Sequence, residues 1–343
     1  MNLPTAPADL MTTSAVLHGT RDLRIEQRAA PTPAGHEVLV EVQAVGICGS
    51  DVHYYEHGRI GPYVVDSPMV VGHESAGTIV AVGRDVDAAR LGETVALEPG
   101  VPCRHCEQCL AGRYNLCPDV VFFATPPVDG SISTYVTIDA GFAHPVPAGL
   151  SFEHAAMAEP VSVGVWACRK AGVTVGDRVL VTGAGPIGLL AAQVARAFGA
   201  SVVTVTDVSE FRLQTARTLG LGAVRADADL AGTFDVLLEC SGAAVALTSG
   251  MNTLAPAARV VLVGMGADTV SINVPLIQGK EISLTGIFRY ANTYPAALGL
   301  IAGGAVNVDA VITHRFDLAQ TEEALTIGRR DPLALKVIVA PGR

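Results

Sequence analysis

Seven cysteines are spread unevenly along the 343 residues: Cys48, Cys103, Cys106, Cys109, Cys117, Cys168 and Cys240. Four of them form the run C-x2-C-x2-C-x7-C between positions 103 and 117. Spacings this short let successive thiolates turn onto one ion, and four sulfurs close a tetrahedral shell with no open position. That is the chemistry of a structural zinc, with an iron–sulfur cluster as the competing occupant. Cys168 and Cys240 read as small buried hydrophobes. A second constellation is Cys48 in GICGSD and His73–Glu74 in VGHE, each at a strand boundary, with Glu159 further on. One thiolate, one imidazole and a carboxylate are a donor set for a catalytic zinc, which keeps a position open for water or substrate. Each of these residues alone is unremarkable; the combination makes the case.

A third signal is GAGPIG at 183–188, the G-x-G-x-x-G pattern of Gly183, Gly185 and Gly188, with Ile187 inside it. The pattern carries weight because it follows the apolar run Arg178–Thr182, opens the helical run Ile187–Phe198 and leads to a second strand, Val202–Thr206, ending at Asp207. The first glycine permits the tight turn and the second lets a pyrophosphate approach the backbone. The third brings helix against strand, and the helix N-terminus faces the phosphates. Asp207 would accept from the adenosine ribose hydroxyls and repel a 2′-phosphate, which favours NAD over NADP. Arg212, a turn further on, is placed to cover the adenine.

The elements that must position these groups fall into two textures. From Ser14 to about Phe152 short alternating strands (Val38–Val45, Ser75–Val82, Gly92–Leu97, Thr134–Ile138) are separated by long loops. From Ser151, a candidate N-cap for a helix over 152–170, strands alternate with helices. Glu210–Leu219 is helical, Asp235–Glu239 and Arg259–Val263 are strands with a helix between them, and the pattern requires a parallel sheet with crossovers. The tail from about Asp309 to Val339, with one helix at Ala319–Gly328, is expected to return to the first part.

The chain is half hydrophobic and only 16% charged, against roughly 25% in an average soluble domain, so it can bury a large core and is not disordered. A net charge of −10 opposes binding to nucleic acid or anionic lipid. The uncharged runs Val179–Ala195 and Tyr290–Val308 are too rich in Gly, Pro, Asn and small residues for a membrane span. Met1–Ser14 has no basic region and no apolar core, so it reads as a loose extension and not a secretory signal, with Met11 as an alternative start. An odd cysteine count without a signal implies a reducing, cytoplasmic setting.

GICGSDVHYYEHG (46–58), VGHESAGTIVAVG (71–83), the four-cysteine run, GDRVLVTGAGPIGLLAAQVAR (176–196) and GIFRYANTYP (286–295) together resemble the zinc-dependent medium-chain dehydrogenases, and among them the polyol dehydrogenases. The resemblance extends from about Val16 to Ile338. It implies an α/β protein with a Rossmann doubly wound parallel-sheet coenzyme domain at 159–295. A β-rich GroES-like catalytic domain would comprise 1–158 and 296–343, with a structural zinc lobe at 100–118. It also implies two zinc ions per chain, one catalytic and one structural, NAD as cofactor, a small polyol substrate and a homo-oligomer, with a tetramer favoured. Cys48, His73 and Glu74 match the catalytic zinc ligands. Glu159 matches a carboxylate that reaches the metal directly or through water, where alcohol dehydrogenases have a cysteine. Ser50 and His53 match a proton relay; Tyr54, Phe122, Arg289 and Tyr290 match substrate-pocket residues. Val263, Gly264, Phe288 and Arg289 match positions lining the nicotinamide. The implied activity is oxidation of a secondary alcohol of a sugar alcohol to a ketose; a butanediol or threonine dehydrogenase would keep the same metal and cofactor residues. One departure is the short stretch between Leu219 and Asp235, where a crossover helix is expected to be reduced or missing.

Overall fold

The computed structural model describes residues 9–342. The chain packs as two units: one runs to Glu159 and resumes at Ile312, and the other is the continuous stretch Pro160–Val311. The return to the first unit therefore comes at Ile312 and not at 296. The reason is the helix Tyr294–Ala302, which buries Tyr294, Ala297, Leu298 and Ile301 and belongs to the second unit.

The first unit is built on a seven-stranded sheet in which Glu37–Gly46 is central. Glu74–Val82 pairs antiparallel along one side of it, while Tyr135–Asp139 and Lys336–Ala340 share the other. Alternation brings Val38, Val40 and Val42 inward, and a register shift after Val42 brings Val45 to the same side; they meet Ile79, Leu97, Ile138 and Val339 in one buried cluster. The strand Lys336–Ala340 then carries Ile312–Asp317 parallel at its far edge.

One expectation is corrected here. Met11–Ser14 is not loose: it begins the strand Met11–Gly19, which pairs antiparallel with Asp22–Ala29. The inward-facing polar pair Ser14 and Ser133 disguises the strand in the sequence. The rest of the reading of the amino terminus concerns residues 1–8, outside the described residues. The turn at GICGSD also runs straight into a helix, Gly49–His57, with Cys48 as its N-cap residue. Asp51 sits at the third helical position, and its Oδ2 accepts from the Cys48 N–H at 2.9 Å.

In the second unit six strands are all parallel. Their order is Gly222–Arg225, Val202–Asp207, Arg178–Thr182, Phe234–Glu239, Leu254–Leu262, Ser283–Gly286. Numbered from Arg178–Thr182, this is 3-2-1-4-5-6, the dinucleotide-binding order, whose switch point lies between Arg178–Thr182 and Phe234–Glu239. No helix separates Gly222–Arg225 from Phe234–Glu239, as the short stretch implied. The helix expected over 152–170 is two helices, Phe152–Ala156 and Ala158–Ala171, the first capped by Ser151 Oγ. Among the described residues no helix is long and apolar enough to cross a membrane.

Candidate active site

The strand order puts Gly46, at the end of Glu37–Gly46, directly opposite Glu74, the first residue of Glu74–Val82. Cys48 follows two residues after Gly46, and His73 precedes Glu74. Register alone therefore converges the three groups, and one donor atom from each of Cys48, His73 and Glu74 lies within 4.8 Å of the others. A side chain at Gly46 would run into the Glu74 carboxylate. Gly72 has φ +89°, and a Cβ there would come within 2.5 Å of Ile132. The bare backbone is what allows this corner to close.

Asp51 stands behind the cluster. It is fully buried, its Oδ1 accepts from Gly72 N–H at 2.9 Å and lies 3.6 Å from His73 Nδ1, and its Oδ2 takes the Cys48 N–H. It thus orients two donors at once. Burial alone would push the Asp51 carboxyl up, but His73 and the two amides hold it below the usual carboxylate range. Burial alone would likewise pull His73 down, yet Asp51 and Cys48 override it and hold the imidazole well above the ordinary histidine value. A thiolate, an imidazole and a carboxylate converging on one point fit a divalent cation, which would take the place of the His73 proton. Phe122 packs its ring 5.8 Å from that of His73. Tyr54 is buried on the same helix that carries Ser50 and the exposed His53. Glu159 is buried but lies outside the three-donor set.

Cys103, Cys106, Cys109 and Cys117 also converge within 4.8 Å. Cys106 and Cys109 sulfurs are 3.4 Å apart, and Cys103 and Cys109 sulfurs 3.9 Å. Four sulfurs on a tetrahedral zinc at about 2.3 Å would stand about 3.8 Å from one another, so the quartet fits that ion. Backbone N–H groups point at the sulfurs: Cys106 N–H at Cys103 Sγ and Cys103 N–H at Cys117 Sγ. The His105 amide leads in drawing the Cys103 thiol down to about 6, whereas burial and the Cys106 sulfur push Cys109 up to about 12. The lobe is pinned to the sheet by Tyr114 Oη donating to Glu98 at 2.6 Å. The other Glu98 oxygen meets His144 Nε2 at 2.7 Å, and Arg104 pairs with Asp139 at 2.6 Å.

In the second unit each glycine of GAGPIG has its own job. Gly183 has φ +89°, and a Cβ there would press on the Ser241 backbone. One at Gly188 would strike the Gly183 carbonyl. At Gly185 it would meet nothing within 4 Å. That open space lies at the N-cap of the helix Pro186–Ala197, where a pyrophosphate fits. Asp207 is buried at its strand end, its Oδ2 accepting from Ala184 N–H at 2.7 Å and its Oδ1 from Ser209 N–H at 2.8 Å. Arg212 lies 3.8 Å from the same carboxylate. Val263 and Gly264 both donate their N–H to the Glu239 carbonyl. Arg289, with φ +53°, lays its guanidinium 4.8 Å from the Phe288 ring centre, and Tyr290 packs 5.8 Å from Tyr294.

The sequence reading missed four of these side chains. Asp51 had a signal, an acid at the third position after a capping residue. Glu98 and Glu239 had none beyond being carboxylates at strand ends; Glu239 accepts from the Ser241 and Gly242 amides beside the glycine turn. Lys336 opens the last strand, and its ammonium lies 2.7 and 2.6 Å from the two Glu74 oxygens. Burial alone would lower it, but Glu74, Cys48 and Glu159 hold it above the usual lysine value.

Comparison with known proteins agrees with this geometry. Residues 34–148 match the alcohol dehydrogenase GroES-like domain, and residues 186–303 match the zinc-binding dehydrogenase domain. The chain belongs to the zinc-dependent medium-chain dehydrogenase family; it is an oxidoreductase acting on CH–OH groups, with zinc and NAD as cofactors. Its relatives there include the sorbitol dehydrogenase of Bos taurus, 42% identical over 339 residues and 95% of each chain. That of Bacillus subtilis (strain 168) is 42% identical over 344 residues, 96% of this chain and 97% of the other. Among solved structures, L-idonate 5-dehydrogenase from Escherichia coli superposes with a TM-score of 0.92 at 31% identity, covering 97% of this chain and 99% of that one.

Proposed function

We propose that the protein oxidises a secondary hydroxyl of a sugar alcohol, sorbitol, xylitol or a similar polyol, to the ketose, with NAD⁺ as hydride acceptor. The observation that carries this reading is the donor set: the Cys48 thiolate, the His73 imidazole and the buried Glu74 carboxylate, with no second cysteine among them. When bound, zinc polarises the substrate hydroxyl so that its proton leaves easily, and the nicotinamide takes up the hydride.

The chain's own residues do the rest. Cys48, His73 and Glu74 hold the metal, with Glu159 in reach of it, and Asp51 keeps His73 and Cys48 aimed. Ser50 Oγ accepts the hydroxyl proton while handing its own proton on, and His53, exposed one turn along the same helix, receives a proton from this relay and releases one to solvent. Tyr54, Arg289 and Tyr290 pair with the further hydroxyls of the substrate, and Phe122 shields the metal face. Gly183, Gly185, Ile187 and Gly188 accommodate the pyrophosphate and Asp207 the ribose, with Arg212 over the adenine. Val263, Gly264, Phe288 and Arg289 line the nicotinamide. The divisions at Glu159 and Ile312 serve as the domain boundaries, GroES-like and Rossmann. We further propose a cytoplasmic homo-oligomer, a tetramer as the family resemblance implies. Light scattering on the purified protein tests the assembly.

The deciding assay is NADH formation over sorbitol, xylitol, ribitol, arabinitol and galactitol, with 2,3-butanediol, threonine and L-idonate alongside. Highest kcat/KM on a polyol supports the reading. Preference for the diol or the amino acid would replace the substrate class, and no NADH from any of them would favour a non-enzymatic zinc-bearing protein instead.

A further inference from the structure

The buried ion pair between Lys336 and Glu74 has no place in the scheme above. Glu74 is wholly buried and the Lys336 side chain is 3% exposed. The ammonium meets both Glu74 oxygens, at 2.7 and 2.6 Å, and the Ile47 carbonyl at 2.9 Å. Its three donors therefore go to the carboxylate and to the residue just before Cys48. Sheet register builds the arrangement: Gly46 pairs with Glu74 on one side and with Ile338 on the other. Lys336 lies two residues from Ile338 along that strand, across Gly46 from Glu74.

A buried ion pair is a poor way to close a sheet, because apolar residues of similar volume usually do it as well or better. What apolar residues cannot supply is charge. The Cys48 thiolate and Glu74 bring two negative charges to a divalent cation, and both of them and the buried Glu159 act electrostatically on Lys336. The ammonium offsets one of these negative charges. A carboxylate whose two oxygens already face an ammonium also gives less of its charge to a metal.

We propose that Lys336 is a positioning residue that holds Glu74 between itself and the metal, so that the cation is bound less tightly than its donors alone would bind it. A cation not fully satisfied by its own ligands remains a stronger Lewis acid towards a substrate oxygen. The inference rests on reading Cys48, His73 and Glu74 as a metal site.

The test follows zinc release from the holoenzyme into excess chelator, with a colorimetric zinc indicator. Cys48→Ser identifies the labile phase, because it should abolish that phase alone. Lys336→Gln keeps amide donors towards Glu74 and Ile47 but removes the charge. Lys336→Met removes both, and Lys336→Arg keeps the charge. Partners that support a ligand typically cost about 10–100-fold in metal affinity when removed; Lys336 competes with the metal for Glu74, so on the same scale but with the opposite sign labile release should slow by about tenfold or more in Lys336→Gln and Lys336→Met. It should stay near wild type in Lys336→Arg. A purely structural role would lower the melting temperature and leave the rate alone. Unchanged or faster release in a folded Lys336→Gln protein would overturn the proposal. Failure of the metal reading would look different: the wild type would then show no Cys48-dependent zinc at all.

Discussion

Asp207 offers the sharpest test, because its carboxylate has one job in the structure and a second in the proposed function. One oxygen accepts from the Ala184 amide at 2.7 Å and the other from Ser209 at 2.8 Å, so the carboxylate braces the glycine turn from the inside. In the proposed function it also accepts from the ribose hydroxyls of NAD. In Asp207→Ala the buried Ala184 amide loses its partner, which costs about 1–3 kcal/mol of stability. Two lost charge-assisted bonds to the ribose, each worth about 1.5–3 kcal/mol, would cost about 3–6 kcal/mol of NAD binding. At about 1.4 kcal/mol per factor of ten, that is a loss of about 10²–10⁴ in kcat/KM for NAD⁺. NADP⁺ should lose much less, because its 2′-phosphate no longer meets a carboxylate and Arg212 stands close by. The experiment is a pair of cofactor titrations at saturating polyol, with a thermal melt of each variant. Equal kcat/KM for both cofactors in the wild type would refute the argument. So would an unchanged NAD-to-NADP ratio in an Asp207→Ala protein whose melting temperature has fallen, which would leave the carboxylate only its structural job.

Freshly prepared protein should contain two zinc ions per chain, with the four-cysteine zinc retained longer against a chelator. Cys103→Ser should lose one zinc and stability, Cys48→Ser should lose activity with the fold intact, and metal analysis giving one zinc or fewer would refute both roles. Polyols should exceed ethanol and 1-butanol in kcat/KM by on the order of 10⁴-fold, because polar pocket groups left unpaired discriminate steeply. Arg289→Ala should penalise xylitol more than 2-propanol; an equal loss on both with a raised KM for NAD⁺ would assign Arg289 to the cofactor alone. Glu98→Gln should speed zinc loss from the four-cysteine lobe by unpinning Tyr114 and His144, and unchanged release kinetics would show that the lobe holds itself together.

What was legible in the sequence is what is local. The cysteine quartet, GAGPIG and the strand–helix alternation each lie within a few dozen residues, and their spacing states their geometry. The missing crossover helix was legible too, as a simple shortage of chain. Lys336 was not, because a lysine at the head of an apolar strand reads as a solvent-facing end; only the pairing of Gly46 with both Glu74 and Ile338 turns it inward. Met11–Ser14 was misread for the opposite reason, since serine and threonine facing Ser133 and Tyr135 mask a buried strand. Asp51 and Glu98 belong to networks whose partners are brought together by the sheet, and no periodicity announces those.

The strand Lys336–Ala340 completes the central sheet of the first unit, and Lys336 meets Glu74 across 262 positions of sequence. Everything between includes the whole second unit, which is continuous and needs nothing from either flank to form its sheet. On a ribosome, where domains fold as their chain emerges, that inserted unit can finish before the one that precedes it. The metal corner around Cys48 must then wait, its sheet edge open, until the closing strand has been synthesised. A nonsense mutation anywhere in the final few residues before Lys336 would therefore spare the coenzyme unit and leave the earlier one with an unpaired edge, a template for aggregation rather than a milder enzyme.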